Sequence, residues 1–203
     1  MDKSHWEKVY EASDPTQVSW YQAEPHVSLH LIERVAAGFD SPIIDVGGGA
    51  STLVDGLLEA GYRNVTVLDI APSALAIAKQ RIGERAERVH WMAADILDAE
   101  LPEAAYEIWH DRAVFHFLTK PEERQQYVAQ VLRAVAPGGH VIVASFAPEG
   151  PTRCSGLDVV RYSPVSMHRE FGSSFRLIDS TREEHHTPSG RTQEFLYCLC
   201  RRA

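Results

Sequence analysis

Four aspartates stand where this chain can do chemistry. Asp45, Asp69, Asp95 and Asp111 each close a short apolar run, and Gly47-Gly48-Gly49 comes almost directly after the first of them. Ala50, Ser51 and Thr52 then lead into a helical pattern. A strand, a tight glycine turn and a helix in that order hold a nucleotide-like ligand at the carboxyl edge of a parallel sheet. Asp69 lies 20 residues beyond Gly49, about the spacing at which an acid reaches a ribose hydroxyl. Arg112 and His116 follow Asp111 closely, a cation and an imidazole beside the fourth acid.

These groups need elements that bring them to one edge. Apolar runs predict strands over 43–46, 65–69, 89–94, 107–110 and 140–146, the last fully buried. Between them, helical spacing predicts helices over 28–39 (stopped by Gly38), 53–60 (ended by Gly61), 72–82 (opened by Pro72, closed by Gly83) and 122–135 after Pro121. Strict alternation implies a parallel sheet with helices on both faces. The end differs. A loop from Pro148 to Arg161 and a helix near 164–171 precede two strand-like segments, 175–184 and 193–200. The connector from His185 to Arg191 is turn-rich, so an antiparallel hairpin closes the sheet.

The leader, residues 1–27, carries Trp6, Tyr10, Trp20 and Tyr21 among polar residues, with Pro15 and Pro25 as breakers. Its rings can anchor it to the body of the protein and also cover a bound ligand and exclude water. The division expected is therefore an aromatic lid over 1–27 and one domain over 28–203.

A chain of 203 residues suits one domain with a full core. The formal charge of -8 gives no net basic field to attract phosphates, which argues against a dedicated nucleic-acid binder. Cys154, Cys198 and Cys200 make no disulfide framework, so a reduced, cytoplasmic setting is expected. No apolar run approaches about 18 residues and the N-terminus has no hydrophobic signal core, so neither membrane span nor export is expected. His185-His186 has no third ligand spaced nearby, so both read as solvated turn residues and no metal site is expected.

Three nucleotide sites compete for the glycine turn. A dinucleotide site wants a third glycine where Thr52 stands, and a phosphate loop wants a lysine that is missing. The third is a class I S-adenosylmethionine (SAM) methyltransferase, and the chain resembles that family over nearly its whole length. Ile44-Asp45-Val46-Gly47-Gly48-Gly49 resembles the first SAM motif, Asp69 the acid that takes the ribose hydroxyls, Ala94-Asp95-Ile96 the adenine site, and Pro137-Gly138-Gly139 the turn before strand five. The resemblance implies a Rossmann-like, doubly wound seven-stranded α/β sheet, mostly parallel with a C-terminal antiparallel hairpin. It implies SAM as cofactor and S-adenosylhomocysteine (SAH) as product. Trp20, Asp45, Gly47, Gly48, Gly49, Ser51, Asp69, Ile70, Ala94, Asp95 and Ile96 would be the cofactor residues.

The segment Trp109 to Phe117 lies where that fold presents its acceptor. It is not the Asn-Pro-Pro-Tyr type used on DNA adenine or glutamine amides. Asp111-Arg112-Ala113, Pro121-Glu122-Glu123-Arg124 and Gly150-Pro151 are similar to thiopurine and halide/thiol methyltransferases, which implies a small thiol, selenium or comparably soft or polar acceptor. The second proline of their loop is replaced by Thr152. On that resemblance Asp111, Arg112 and His116 are the candidate catalytic residues, with Trp6, Tyr10, Tyr21 and Cys154 on the acceptor side. The leader also resembles small protein-lysine methyltransferases, an alternative in which the acceptor is a protein. A SAM-binding module without turnover is the third possibility. A monomer or homodimer is expected.

Overall fold

The computed structural model describes residues 2–12 and 14–203; Met1 and Ser13, both in the leader, lie outside the described residues. The first helix, α1 (Lys3–Ala12), belongs to that leader and buries none of its residues below the surface. A turn-rich strap carries the chain to α2 (His26–Val35), which starts after Pro25 and stops short of Gly38 because Ala36 turns extended.

Then strand and helix alternate, except that a helix-free connection joins β3 to β4, against the strict alternation expected: β1 (Ile43–Val46), α3 (Leu53–Ala60), β2 (Val65–Asp69), α4 (Pro72–Ile82), β3 (Val89–Ala93), β4 (Tyr106–Arg112), α5 (Pro121–Ala134) and β5 (Val135–Phe146). All residues of β1 and β2 are buried, the mark of strands covered on both faces. The loop after β5 folds into a small hairpin, β6 (Arg153–Cys154) and β7 (Leu157–Asp158). Ser155 and Gly156 both take positive φ there, +49° and +79°, as a type I′ turn requires. After α6 (Pro164–Phe171) come β8 (Phe175–His186) and β9 (Thr192–Arg202).

The main sheet has seven strands in the order β3-β2-β1-β4-β5-β9-β8. β1 to β5 pair in parallel, while β9 runs antiparallel to both β5 and β8. This is the expected doubly wound α/β sheet with its closing hairpin. The order reverses between β1 and β4, and a crevice at that switch point, beyond the strands' carboxyl ends, is where such sheets bind ligands.

Two readings of the sequence are corrected. The closing strands are longer than expected, so His185 and His186 belong to β8 and only Thr187 to Arg191 make the turn. His186 is exposed, but His185 is buried, with Nε2 donating to the Ser19 carbonyl at 2.8 Å. Burial and the Arg112 charge hold its imidazole below its ordinary pKa.

Along β4, side chains alternate between faces. Trp109 and Asp111 turn toward α5, where both meet the Tyr127 hydroxyl. His110 and Arg112 turn to the other face, toward α2 and β9. That alternation decides which groups after β4 reach the ligand crevice.

Candidate active site

The glycine turn is built so that nothing but backbone stands at its tip. Gly47 and Gly48 donate to the Leu68 carbonyl at 2.7 and 3.2 Å, tying the turn to β2. Gly47 has φ +68°, and a Cβ there would lie 2.0 Å from Val114 Cγ2. Gly49 has φ +39°, and a Cβ there would stand 2.8 Å from Asp69 Oδ2 and 3.0 Å from the Tyr10 hydroxyl. Both positions need glycine for conformation and for space.

Two cavities flank this turn and share Tyr10, Trp20, Gly47 and Arg112. The first encloses about 590 Å³ of space, part of it open to solvent. Asp69, Ile70, Ala94 and Ile96 line one side of it, and Trp6, Phe117, Ala113 and Cys154 the other. The second, about 560 Å³, is lined by Ser28, Asp45, Gly48, Ser51, His110 and Tyr21 among others.

Asp69 ends β2 with Oδ1 accepting from the Ala71 N–H at 2.8 Å. Burial pushes its pKa up to about 7, helped by the charges of Asp45 and Glu7, while the Ala71 N–H pulls the other way. Asp95 accepts from the Leu97 N–H at 3.0 Å and so shapes the turn that presents Ala94 and Ile96. Ser51 accepts from the Leu53 N–H at 3.1 Å at the start of α3.

The leader's aromatic residues form the roof. Trp6 packs edge-on against Trp20 and Phe117, with ring centroids 5.9 and 5.0 Å apart, and Tyr10 meets Trp20 at 6.4 Å. The strap is tied to the body at backbone carbonyls: Arg112 Nη1 donates to Trp20 O at 3.0 Å, His185 to Ser19 O, and Thr52 to Gln22 O at 2.8 Å. Arg112 also donates through Nε to the Tyr197 hydroxyl at 3.0 Å and lies 4.1 Å over the Phe195 ring.

Asp111 and His116 line neither cavity. Asp111 is fully buried, accepting from the Val114 and Phe115 N–H groups at 2.8 and 3.1 Å and from Tyr127. Burial raises its pKa to about 6 against the pull of those donors. It holds the turn at Phe115–Phe117 in place. His116 is also fully buried, between Phe117 and Phe146, and burial together with Arg112 drops its pKa to about 3. An imidazole so placed stays neutral and is a feeble base. Cys154 reaches the first cavity, but burial pushes its thiol up to about 11.

Sequence reasoning passed over His110, Ser28, Tyr197 and Glu183. His110 has both ring nitrogens engaged, Nδ1 with Asp45 Oδ1 at 2.7 Å and Nε2 with Ser28 Oγ at 2.9 Å. Its two-residue spacing from Arg112 put them on one face and was readable; its partners were not.

Residues 43–139 match a family model described as a methyltransferase domain. These residues are a methyltransferase domain, and the fold around it is that of class I SAM-dependent methyltransferases. The chain is 25% identical over 149 residues to the eEF1A lysine and N-terminal methyltransferase of Mus musculus, covering 70% of this chain and 21% of that protein. The chain thus spans about a fifth of the length of that relative. It is 31% identical over 147 residues to the 2-heptyl-1-hydroxyquinolin-4(1H)-one methyltransferase of Mycobacteroides abscessus, covering 70% of this chain and 63% of that one. In fold the methyltransferase domain is similar to the Burkholderia thailandensis 1,6-didemethyltoxoflavin-N1-methyltransferase, solved with 1,6-didemethyltoxoflavin and SAH. The TM-score is 0.76 at 22% identity, over 99% of this chain and 87% of that one.

The residues present fit SAM, the cofactor of this family. The cradle at Gly47 and Gly49 leaves room only for a ligand's approach to backbone, and Asp45 Oδ2 is buried with no hydrogen-bond partner among the described residues. A sulfonium ligand without phosphates is matched by acids rather than by lysines. No helix among the described residues is long and apolar enough to cross a membrane, and they include no cluster of metal-ligating side chains.

Proposed function

We propose that this protein methylates a small-molecule nucleophile, a thiol, a selenolate or a comparably soft or polar acceptor, under a lid formed by residues 1–27. The observation that carries the reading is which titratable groups face the first cavity: Tyr10, Asp69, Arg112 and Cys154. Burial raises Tyr10 far above its ordinary pKa and Cys154 to about 11, so both keep their protons at neutral pH. Arg112 is a cation. Asp69 faces the glycine turn, on the side where a ribose belongs. The acceptor therefore has to arrive as a ready nucleophile, which a thiolate or selenolate does without a base.

SAM, when bound, supplies an activated methyl group on a sulfonium. The chain's own groups bind, orient and exclude water. Asp69 would accept from the ribose hydroxyls, Ala94, Asp95 and Ile96 would frame the adenine, and the Gly47–Gly49 backbone would admit the rest of the cofactor. Trp6, Tyr10, Trp20 and Phe117 wall the acceptor side with aromatic surface, which favours in-line approach in a water-poor pocket.

The relatives include one named for a hydroxyquinolone and one named for eEF1A lysine, so the protein-acceptor reading is the rival. Incubation with labelled SAM separates them. Label in small products from a panel of thiols, selenols and N-hydroxy heterocycles supports the proposal, and label confined to protein bands of a lysate defeats it.

A further inference from the structure

The strap that carries Trp20 is tied to the edge of the sheet as well as to its centre. β8 is the outermost strand, and Glu183 and His185 stand two residues apart on it, so their side chains leave the same face. His185 takes the strap at the Ser19 carbonyl, and Glu183 Oε1 accepts from Gln22 Nε2 at 2.7 Å. The other oxygen of Glu183 turns inward. Oε2 accepts from the Tyr197 hydroxyl at 3.0 Å and lies 3.5 Å from Arg112 Nη2.

The Arg112 and Glu183 side chains are only 10% and 14% exposed, so Glu183 is the acid paired with a cation held away from water. Removing one member of such a pair leaves the other buried and uncompensated. Arg112 in turn donates through Nη1 to the Trp20 carbonyl and through Nε to the Tyr197 hydroxyl. One carboxylate therefore reaches the strap twice, directly at Gln22 and through Arg112 at Trp20. Glu183 lines neither cavity, whereas Trp20 lines both and Gln22 the second.

We propose that Glu183 is a positioning residue for the acceptor site. From the edge strand it holds Trp20 and the strap closed over the first cavity, so the C-terminal hairpin sets how readily that cavity opens. That the cavity receives an acceptor rests on the function proposed above; the closure itself does not.

Iodoacetamide trapping on the full chain reads the closure directly. Cys154 is 5% exposed and lines the first cavity, its thiol adjoining Ser19 of the strap, while Cys198 and Cys200 are buried within β9. A covered thiol is alkylated in proportion to the population in which its segment is open. Peptide mass spectrometry gives the rate at each cysteine. Glu183→Ala and Gln22→Ala should each speed alkylation of Cys154 about 10-fold, the scale of one charge-assisted hydrogen bond, with Cys198 and Cys200 unchanged within about twofold. Glu183→Gln keeps an oxygen for Gln22 but no charge for Arg112, and should recover part of the protection. Adding Gln22→Ala to Glu183→Ala should change little, because the first substitution has already removed that bond. Gln22→Ala leaves the Arg112 pair intact and carries the test if Glu183→Ala does not fold. An unchanged Cys154 rate in the variants, or all three cysteines speeding together, overturns the role given to Glu183. A wild type that methylates nothing in the acceptor panel overturns the proposed function, and the trapping rates still decide the closure.

Discussion

Tyr127 donates its hydroxyl to Asp111 at 2.5 Å, sealed between α5 and β4 with neither side chain exposed. The Trp109 indole N–H donates to the same hydroxyl at 2.9 Å, so one tyrosine satisfies two buried partners. An acid held this way secures the turn after β4. It lines neither of the two cavities at the glycine turn.

Tyr127→Phe should therefore cost stability and spare binding. Leaving Asp111 and Trp109 short of a partner is expected to lower unfolding free energy by about 1–3 kcal/mol. Urea denaturation measures that loss, and SAH calorimetry should show affinity unchanged within about twofold. A large drop in SAH affinity without a stability change would count against a structural Asp111.

Asp69 makes cofactor affinity depend on pH. Burial raises its folded pKa to about 7, above the ordinary 3.8, so the ligand-free fold favours the neutral acid. The folded state then binds more protons than the unfolded one between those values, and stability falls as pH rises through that window. A carboxylate that accepts from ribose hydroxyls must be ionised, so SAH affinity should rise from pH 6 to pH 8 and then level off. Asp69→Asn should flatten the profile in calorimetry.

Gly49→Ala should abolish cofactor binding while leaving the fold largely intact. The added Cβ meets Asp69 Oδ2 at 2.8 Å and forces an L side chain into φ +39°. A loss of roughly 1–2 kcal/mol in thermal denaturation is expected from the backbone strain, with SAH binding lost in calorimetry. Retained affinity would show that the turn tolerates a side chain.

Trp20 lies between the two cavities and against both Trp6 and Tyr10. Trp20→Ala should lower kcat/KM about 10- to 100-fold by opening the roof to water, the scale of losing a buried aromatic contact and the exclusion it provides. Steady-state rates at saturating SAM check this. Trp20→Phe, which keeps a ring under the same carbonyl tie, should recover most of the loss.

Much of this was legible because it is local. The runs Ile43–Val46 and Val65–Asp69 are apolar throughout because helices cover both faces, and Pro72 and Pro121 mark helix starts that the fold keeps. What escaped was set by partners far along the chain. No residue of helix α1 is fully buried, and Trp6 and Tyr10 face the first cavity rather than the core, so its pattern read as a polar leader. His185 is buried because the strap 166 positions earlier lies across it. Asp111 and His110 are neighbours in sequence, and only the placement of α5 and α2 on opposite faces decides that one braces a turn and the other adjoins the ligand crevice.

The strap from Ser19 to Gln22 is held through three main-chain carbonyls, by Arg112, His185 and Thr52. Carbonyls are the same whatever residue carries them, so these three ties do not depend on the strap's side chains, to which Gln22 Nε2 adds one of its own by donating to Glu183 Oε1 at 2.7 Å. Point substitutions there can reshape the cavity walls that Trp20, Tyr21 and Gln22 line while these backbone ties persist.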